Sequence, residues 1–293
     1  MNHATATASG VIAIALWSLL ALFTAAAGAI PPFQLTAICF AIATAIGLAV
    51  MLKRGQSRSL FRQPLSVWLL GTAGLFGYHF FYFTALQNAP PAEASLIAYL
   101  WPLLIVLFSA LLPGEKLRWF HIAGAVLGLV GLTVLVTRGG VSFEGRFAFG
   151  YGIALICAFV WSGYSVLSRR FADVPSDIVT GYCLVSAILA ALAHLAFEST
   201  VWPTGGMQWL AVIMLGLGPV GAAFYVWDHG MKHGNIQLLG AASYATPVLS
   251  VFVLIAFGYA EWSWHLMLAP LLVTCGAVVA AGVLFKARSA RQS

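Results

Sequence analysis

What this sequence has least of is charge. Asp, Glu, Lys and Arg make up 8% of its 293 residues, hydrophobic residues 61%, and mean hydropathy is +0.96. A soluble domain carries about 25% charged residues, so this chain has nothing with which to cover a water-facing surface. Acids are the scarcer sign. Glu93, Glu115, Glu144, Asp173, Asp177, Glu198, Asp228 and Glu261 are all of them, and each falls in a loop or near the end of an apolar run. A proton-driven exporter of organic cations is expected to hold a carboxylate in its pathway, and none is evident. The four cysteines, Cys39, Cys157, Cys183 and Cys275, lie far apart inside apolar runs. Their spacing fits no metal site, and they read as small buried hydrophobes. A glycine-rich nucleotide signature, a metal cluster and a catalytic triad are missing too, so the chain is not read as an enzyme and no cofactor or metal is expected.

What is present is length of apolar chain. Ten segments, near 11–29, 33–52, 66–87, 90–112, 119–137, 150–168, 176–198, 207–229, 235–259 and 263–284, are long enough to cross a bilayer. The fold class expected is all-α and integral to the membrane. Little chain remains for an extramembrane catalytic or nucleic-acid-binding domain. Ala25-Ala26-Ala27 resembles a signal cleavage site, but no Lys or Arg precedes it, so the first segment is expected to be a retained helix. With the N-terminus cytoplasmic, Lys53, Arg54, Arg58, Arg62, Lys116, Arg118, Arg169, Arg170, Lys232, Lys286, Arg288 and Arg291 fall inside, and only Arg138 and Arg146 outside. That bias places both termini in the cytoplasm, and it accounts for the +6 net charge without a nucleic-acid partner. The sequence specifies no oligomer; a monomer would serve.

The two halves echo each other. Trp17-Ser18 pairs with Trp161-Ser162, Tyr99 with Tyr244, Pro102 with Pro247 and Glu115 with Glu261, each second member about 145 residues beyond the first, half of the chain. Two five-helix units, 1–147 and 148–293, are therefore expected. An odd number of crossings inverts the second relative to the first, which is a transporter pattern with the site between the units near the midplane. Gly124, Gly128 and Gly131 are spaced for close helix packing. Gly71, Gly74 and Gly77 leave packing and bending both open.

The candidate site residues are polar or aromatic groups at depths where such groups are costly. On a helix, Leu75, Tyr78, His79, Tyr82 and Leu86 share one face. Trp17, Trp101 and Trp161 lie near midspan, away from the interface that indoles prefer, whereas Trp227 lies close to an end. Pro102 and Pro247 each remove a backbone donor at midspan and free the carbonyls of Ala98 and Ser243. Tyr99 and Tyr244 stand beside those kinks. On a straight helix Tyr99 and Trp101 point about 160° apart, so only a distorted helix would turn both to one cavity. Core packing remains open as the alternative for each of these groups, as does a satisfied core histidine for His79.

Ten helices, the five-plus-five inverted repeat, the midspan prolines, and Gly114-Glu115 followed by Gly124, Gly128 and Gly131 resemble the EamA-type members of the drug/metabolite transporter superfamily over essentially the whole chain. The length and the aromatic third and fourth helices look most like the YddG-type inner-membrane amino-acid exporters. The second half departs from the pattern: its glycines are fewer (Gly276, Gly282), and two residues separate Gly258 from Glu261. The resemblance implies export of aromatic and other neutral amino acids from a bacterial cytoplasm, by alternating access and without ATP. Trp17, Tyr78, His79, Tyr82, Tyr99, Trp101, Trp161 and Tyr244 would line the cavity, with Pro102 and Pro247 as kinks. Export of another metabolite or a drug is the alternative, and an intramembrane transferase a more distant one.

Overall fold

The computed structural model describes residues 3–55, 63–137, 143–262 and 265–281. Arg58, Arg62, Arg138, Trp264, Gly282, Lys286, Arg288 and Arg291 lie outside the described residues. Among the described residues the structure is helical without strands, and nine helices are long and apolar enough to cross a membrane. They are α1 (His3–Ala27), α2 (Pro32–Lys53), α3 (Leu65–Asn88), α4 (Pro91–Ser109), α5 (Trp119–Thr137), α6 (Gly145–Phe171), α7 (Ser176–Phe197), α8 (Gly206–His233) and α9 (Ile236–Ala256). A shorter helix, α10 (His265–Ala280), follows.

Local chemistry explains the ends. Pro32 and Pro91 begin α2 and α4, where a missing N–H leaves no bond unmade. The N-terminus of α2 is further held by Glu198, whose carboxylate accepts from the Phe33 and Gln34 amides at 2.9 and 3.0 Å. His194 pairs with the same carboxylate at 2.9 Å. The expected end of α8 near residue 229 is too early, because the helix runs on to His233. Asp228 and Lys232 pair at 2.8 Å one turn apart, so two charges that look like a helix end neutralise each other inside it.

Three helices are broken at midspan. In α4 the break is at Tyr99-Leu100, where Leu100 N–H reaches back only to Ile97 O at 3.0 Å and Pro102 supplies no donor. In α9 it is at Ser243-Tyr244, ahead of Pro247. In α1 there is no proline; Ser18 Oγ donates to Ala15 O at 2.6 Å and Leu19 N–H bonds Leu16 O. Two helices, α3 and α8, each carry one π-turn, Ala73–Gly77 and Gly218–Ala222.

Helices pair as α1 with α8, α3 with α6, α2 with α7 and α5 with α10, while α4 packs mainly on α6 and also on α9. Gly71 and Gly74 receive the rings of Tyr182 and Tyr164, so packing accounts for both. The α5–α10 contact needs Gly124: a Cβ there would enter the backbone of α10 at Gly276 and Ala280. Gly124→Ala is expected to cost about 1–3 kcal/mol by overpacking. It is checked by thermal unfolding of purified protein in detergent, where an unchanged midpoint would contradict this packing. Cys39, Cys157 and Cys183 are buried and free, as read from sequence, but Cys275 is exposed on α10.

Candidate functional site

The breaks and π-turns surround a cavity of about 340 Å³, at the lower end of the range for small-molecule sites. Trp17, Leu20 and Ala21 of α1, Tyr78, His79 and Tyr82 of α3, Tyr99 and Trp101 of α4, Trp161 of α6 and Phe224 of α8 form its aromatic side. Thr246, Pro247, Ser250, Val251 and Leu254 of α9 form the other.

The aromatic rings touch one another. Trp17 meets Trp101 and Trp161 edge-on, with centroids 6.4 and 5.7 Å apart, and Trp101 meets Trp161 at 6.2 Å. Tyr78 leans on Trp161 at 5.3 Å and stacks on Tyr82 at 5.9 Å. These separations are those of favourable aromatic pairs, so the walls are braced without a ligand. Behind Trp17 lies Trp227, fully buried, with centroids 5.0 Å apart and its indole N–H on Ser165 Oγ at 3.1 Å. The expectation that Trp227 sits near a membrane interface is thus corrected: the extended α8 carries it into the core.

Polar groups in the wall are partly committed. Trp17 Nε1 donates to Pro219 O, a carbonyl in the π-turn of α8, at 3.1 Å. Tyr82 OH and Ser95 Oγ are 3.2 Å apart. His79 Nδ1 lies 2.7 Å from Leu75 O. A carbonyl only accepts, so the proton of the neutral ring sits on Nδ1 and Nε2 carries a lone pair. His79 in that form can accept from an ammonium; it can donate to a carboxylate only when charged. Among the described residues, no Asp, Glu, Lys or Arg lines the cavity.

The α4 break settles the orientation of one pair of residues. Tyr99 and Trp101 both face the cavity, 6.4 Å apart, because the distorted turn removes the angular separation a straight helix would impose. Tyr244, expected in the same lining, is not there. The break in α9 turns it toward α5, fully buried against Gly128. Pro247 lines the cavity; Pro102 is buried behind it. Sequence reasoning missed Phe224, Thr246 and Ser250. Thr246 and Ser250 carried a signal, two hydroxyls one turn apart on an otherwise apolar helix. Phe224 carried none.

On one side the lining residues nearest the helix ends at Ala27, Asn88 and Ala256 are Ala21, Tyr82 and Leu254. On the other stand the tryptophans, and beyond them lie two polar networks. Asp228 pairs with Lys232 and accepts from Ser176 Oγ at 2.6 Å and Tyr164 OH at 3.4 Å. Lys232 Nζ also donates to Val174 O at 2.9 Å. Asp228 stands near the end of α8, as read from sequence, but it is 1% exposed and so belongs to the core. In the second network Arg169 pairs with Glu115 at 2.9 Å and donates to Met231 O and Gly234 O, while Gln237 Nε2 donates to Glu115 at 2.8 Å.

Comparison with known proteins agrees in kind. The model of the EamA-like transporter family matches residues 5–137 and again 148–282. The aromatic amino acid exporter YddG of Ancylobacter novellus is 56% identical over 282 residues, covering 96% of this chain and 98% of that protein. The protein of the same name in Escherichia coli (strain K12) is 28% identical over 296 residues, covering 95% and 97%. A solved crystal structure matches with a TM-score of 0.91 and 56% identity, covering 95% of this chain and 97% of the other.

Proposed function

The chain belongs to the EamA-like transporter family, and from that premise we propose that it exports aromatic and other neutral amino acids through the cavity described above. The observation that carries the reading is an aromatic chamber at the helix breaks whose lining holds no charged side chain among the described residues. A zwitterion has no net charge to match, an aromatic side chain fits among indoles, and an ammonium gains about 0.5–2 kcal/mol from each aromatic face it meets. Trp17, Trp101, Trp161 and Tyr78 would hold the side chain. His79 Nε2 would accept from the ammonium. Tyr82 and Tyr99 would complete the wall.

The same reading supplies the cycle. The excess of cations at the Lys53, Lys116, Arg169 and Lys232 end supports a cytoplasmic assignment for that end and for both termini. The protein would lie in the inner membrane, with the cavity turned outward and the two polar networks closing its cytoplasmic side. Two inverted five-helix units, 1–147 and 148–293, would exchange conformations to open each side in turn. What supports that repeat is the family matching once in each half, breaks at corresponding places in α4 and α9, and π-turns at corresponding places in α3 and α8. The helix pairing fits as well, since exchanging the halves maps α1–α8 onto α6–α3. Nothing in the cycle needs ATP, and a lining without a carboxylate among the described residues supports downhill export, with His79-linked proton exchange as the alternative.

The test is counterflow of labelled phenylalanine in proteoliposomes without nucleotide. Saturable exchange, inhibited by unlabelled tryptophan, is expected. Exchange no faster than in protein-free vesicles would overturn the proposal.

A further inference from the structure

The two sides of the cavity differ at positions that correspond in the two halves. Immediately before the midspan proline stands Trp101 in α4 but Thr246 in α9, and a turn later Ile105 in α4 but Ser250 in α9. Trp101, Thr246 and Ser250 all line the cavity. One side therefore presents an indole where the other presents hydroxyls.

Thr246 is also exceptional among the hydroxyls of this bundle. In a helix buried in an apolar medium, Ser and Thr ordinarily donate to the carbonyl one turn back. Thr36, Thr44, Ser162 and Ser243 do so here, each at 2.7 Å. Thr246 is 7% exposed, and its Oγ1 has no partner among the described residues. The break explains this. Thr246 N–H turns to Ser243 O at 3.1 Å, in the tight turn that starts the second half of α9, and the hydroxyl of this cavity-lining residue is left without the usual bond one turn back. Ser186 Oγ is likewise without a partner, but it lies in α7 and lines no part of the cavity. A buried hydroxyl left unbonded is costly, and the residue that carries it borders the space a ligand would fill, one χ1 rotation from presenting the hydroxyl there.

We propose that Thr246, with Ser250 one turn on, is the subsite for the substrate's carboxylate. The inference rests on the amino-acid reading above and deepens it. A carboxylate only accepts hydrogen bonds, so it needs donors. On the aromatic side the Trp17 indole N–H is taken by Pro219 O, the hydroxyl of Tyr82 is engaged with Ser95, and neutral His79 offers a lone pair, while the donors of Tyr78, Tyr99, Trp101 and Trp161 belong to the rings that would enclose the side chain. Thr246 and Ser250 line the cavity from α9, on the side without aromatic rings. An α-amino acid would then lie across the cavity, carboxylate on α9, ammonium toward His79 and the aromatic faces, side chain among the tryptophans.

The experiment is kinetic, in proteoliposomes, with labelled phenylalanine as substrate and phenethylamine, which lacks the carboxylate, as competing inhibitor. Thr246→Val keeps the shape and removes the hydroxyl. A hydrogen bond to a charged group is worth about a tenfold change or more, so the Km for phenylalanine should rise about tenfold while the Ki of phenethylamine stays at its wild-type value. Thr246→Ser should restore the Km, and Ser250→Ala should raise it by a smaller factor. A Thr246→Val protein with wild-type Km, or one in which Km and Ki rise together, overturns the subsite while leaving amino-acid export standing. Absence of saturable phenylalanine flux in the wild-type protein overturns both.

Discussion

Asp228→Asn should lower stability by about 3–5 kcal/mol, since it leaves a buried charge without its counter-ion. Asp228 and Lys232 are both almost fully buried, 2.8 Å apart on successive turns of α8. Asparagine keeps the shape, but its single carbonyl oxygen can replace only Oδ2, where Ser176 and Lys232 bond, and its amide nitrogen then faces the Tyr164 hydroxyl; Lys232 is left with neutral acceptors alone, that oxygen and Val174 O. For a chain of this size that loss corresponds to a fall in unfolding temperature on the order of ten degrees. Lys232→Met should be comparably harmful, because it strands the carboxylate. Asp228→Leu combined with Lys232→Met should recover part of the loss, since it removes both charges, yet not all of it, since the Ser176 and Tyr164 hydroxyls lose their acceptor. Thermal unfolding of the three variants in detergent checks this order. Single variants as stable as the wild type would show that the pair is not desolvated as described.

Trp161→Ala should reduce both stability and transport. The Trp161 ring meets Trp17, Trp101, Tyr78, Tyr164, Phe224 and Trp227 with centroids between 5.3 and 6.4 Å. Removing a buried Trp side chain typically costs about 3–5 kcal/mol, and here the void would merge with the cavity. Phenylalanine counterflow should fall at least about tenfold, because the substrate ring loses its wall and the surrounding rings lose their brace. Trp161→Phe, which keeps an aromatic face, should lie between the two. If Trp161→Ala folds and transports like the wild type, the aromatic layer is only core.

Much of the arrangement was legible in the sequence because polar and aromatic groups at midspan are costly and therefore informative. Trp17, Trp161, Tyr78, His79, Tyr82, Tyr99 and Trp101 stand out by depth alone, and all of them border one cavity. What the sequence did not convey is which way each half-helix turns after a break. A straight-helix period sets Tyr99 and Trp101 on opposite faces, yet the break in α4 brings both inward. The corresponding break in α9 sends Tyr244 toward Gly128 and brings Thr246 into the wall. Proline position signals that a helix is interrupted, but the rotation across the interruption depends on what each half packs against.

Asp228 was obscured for a different reason. Read singly, an acid near the limit of an apolar run looks like a helix end. Read with Lys232 four residues on, it is half of a neutral unit that a buried helix can carry. Trp227 followed it into the core. The Glu115–Arg169–Gln237 network was out of reach, since it joins segments more than fifty residues apart that nothing local connects.

The measurement that bears most directly on the account is substrate protection of a thiol introduced inside the cavity. Val251→Cys, in a Cys275→Ser background, places that thiol on the cavity wall, and the remaining cysteines, Cys39, Cys157 and Cys183, are buried. A membrane-impermeant maleimide added to intact cells is predicted to label the introduced thiol from outside, and saturating phenylalanine to suppress that labelling. Labelling that proceeds equally with and without phenylalanine would contradict a cavity that is both open to the outside and occupied by the amino acid.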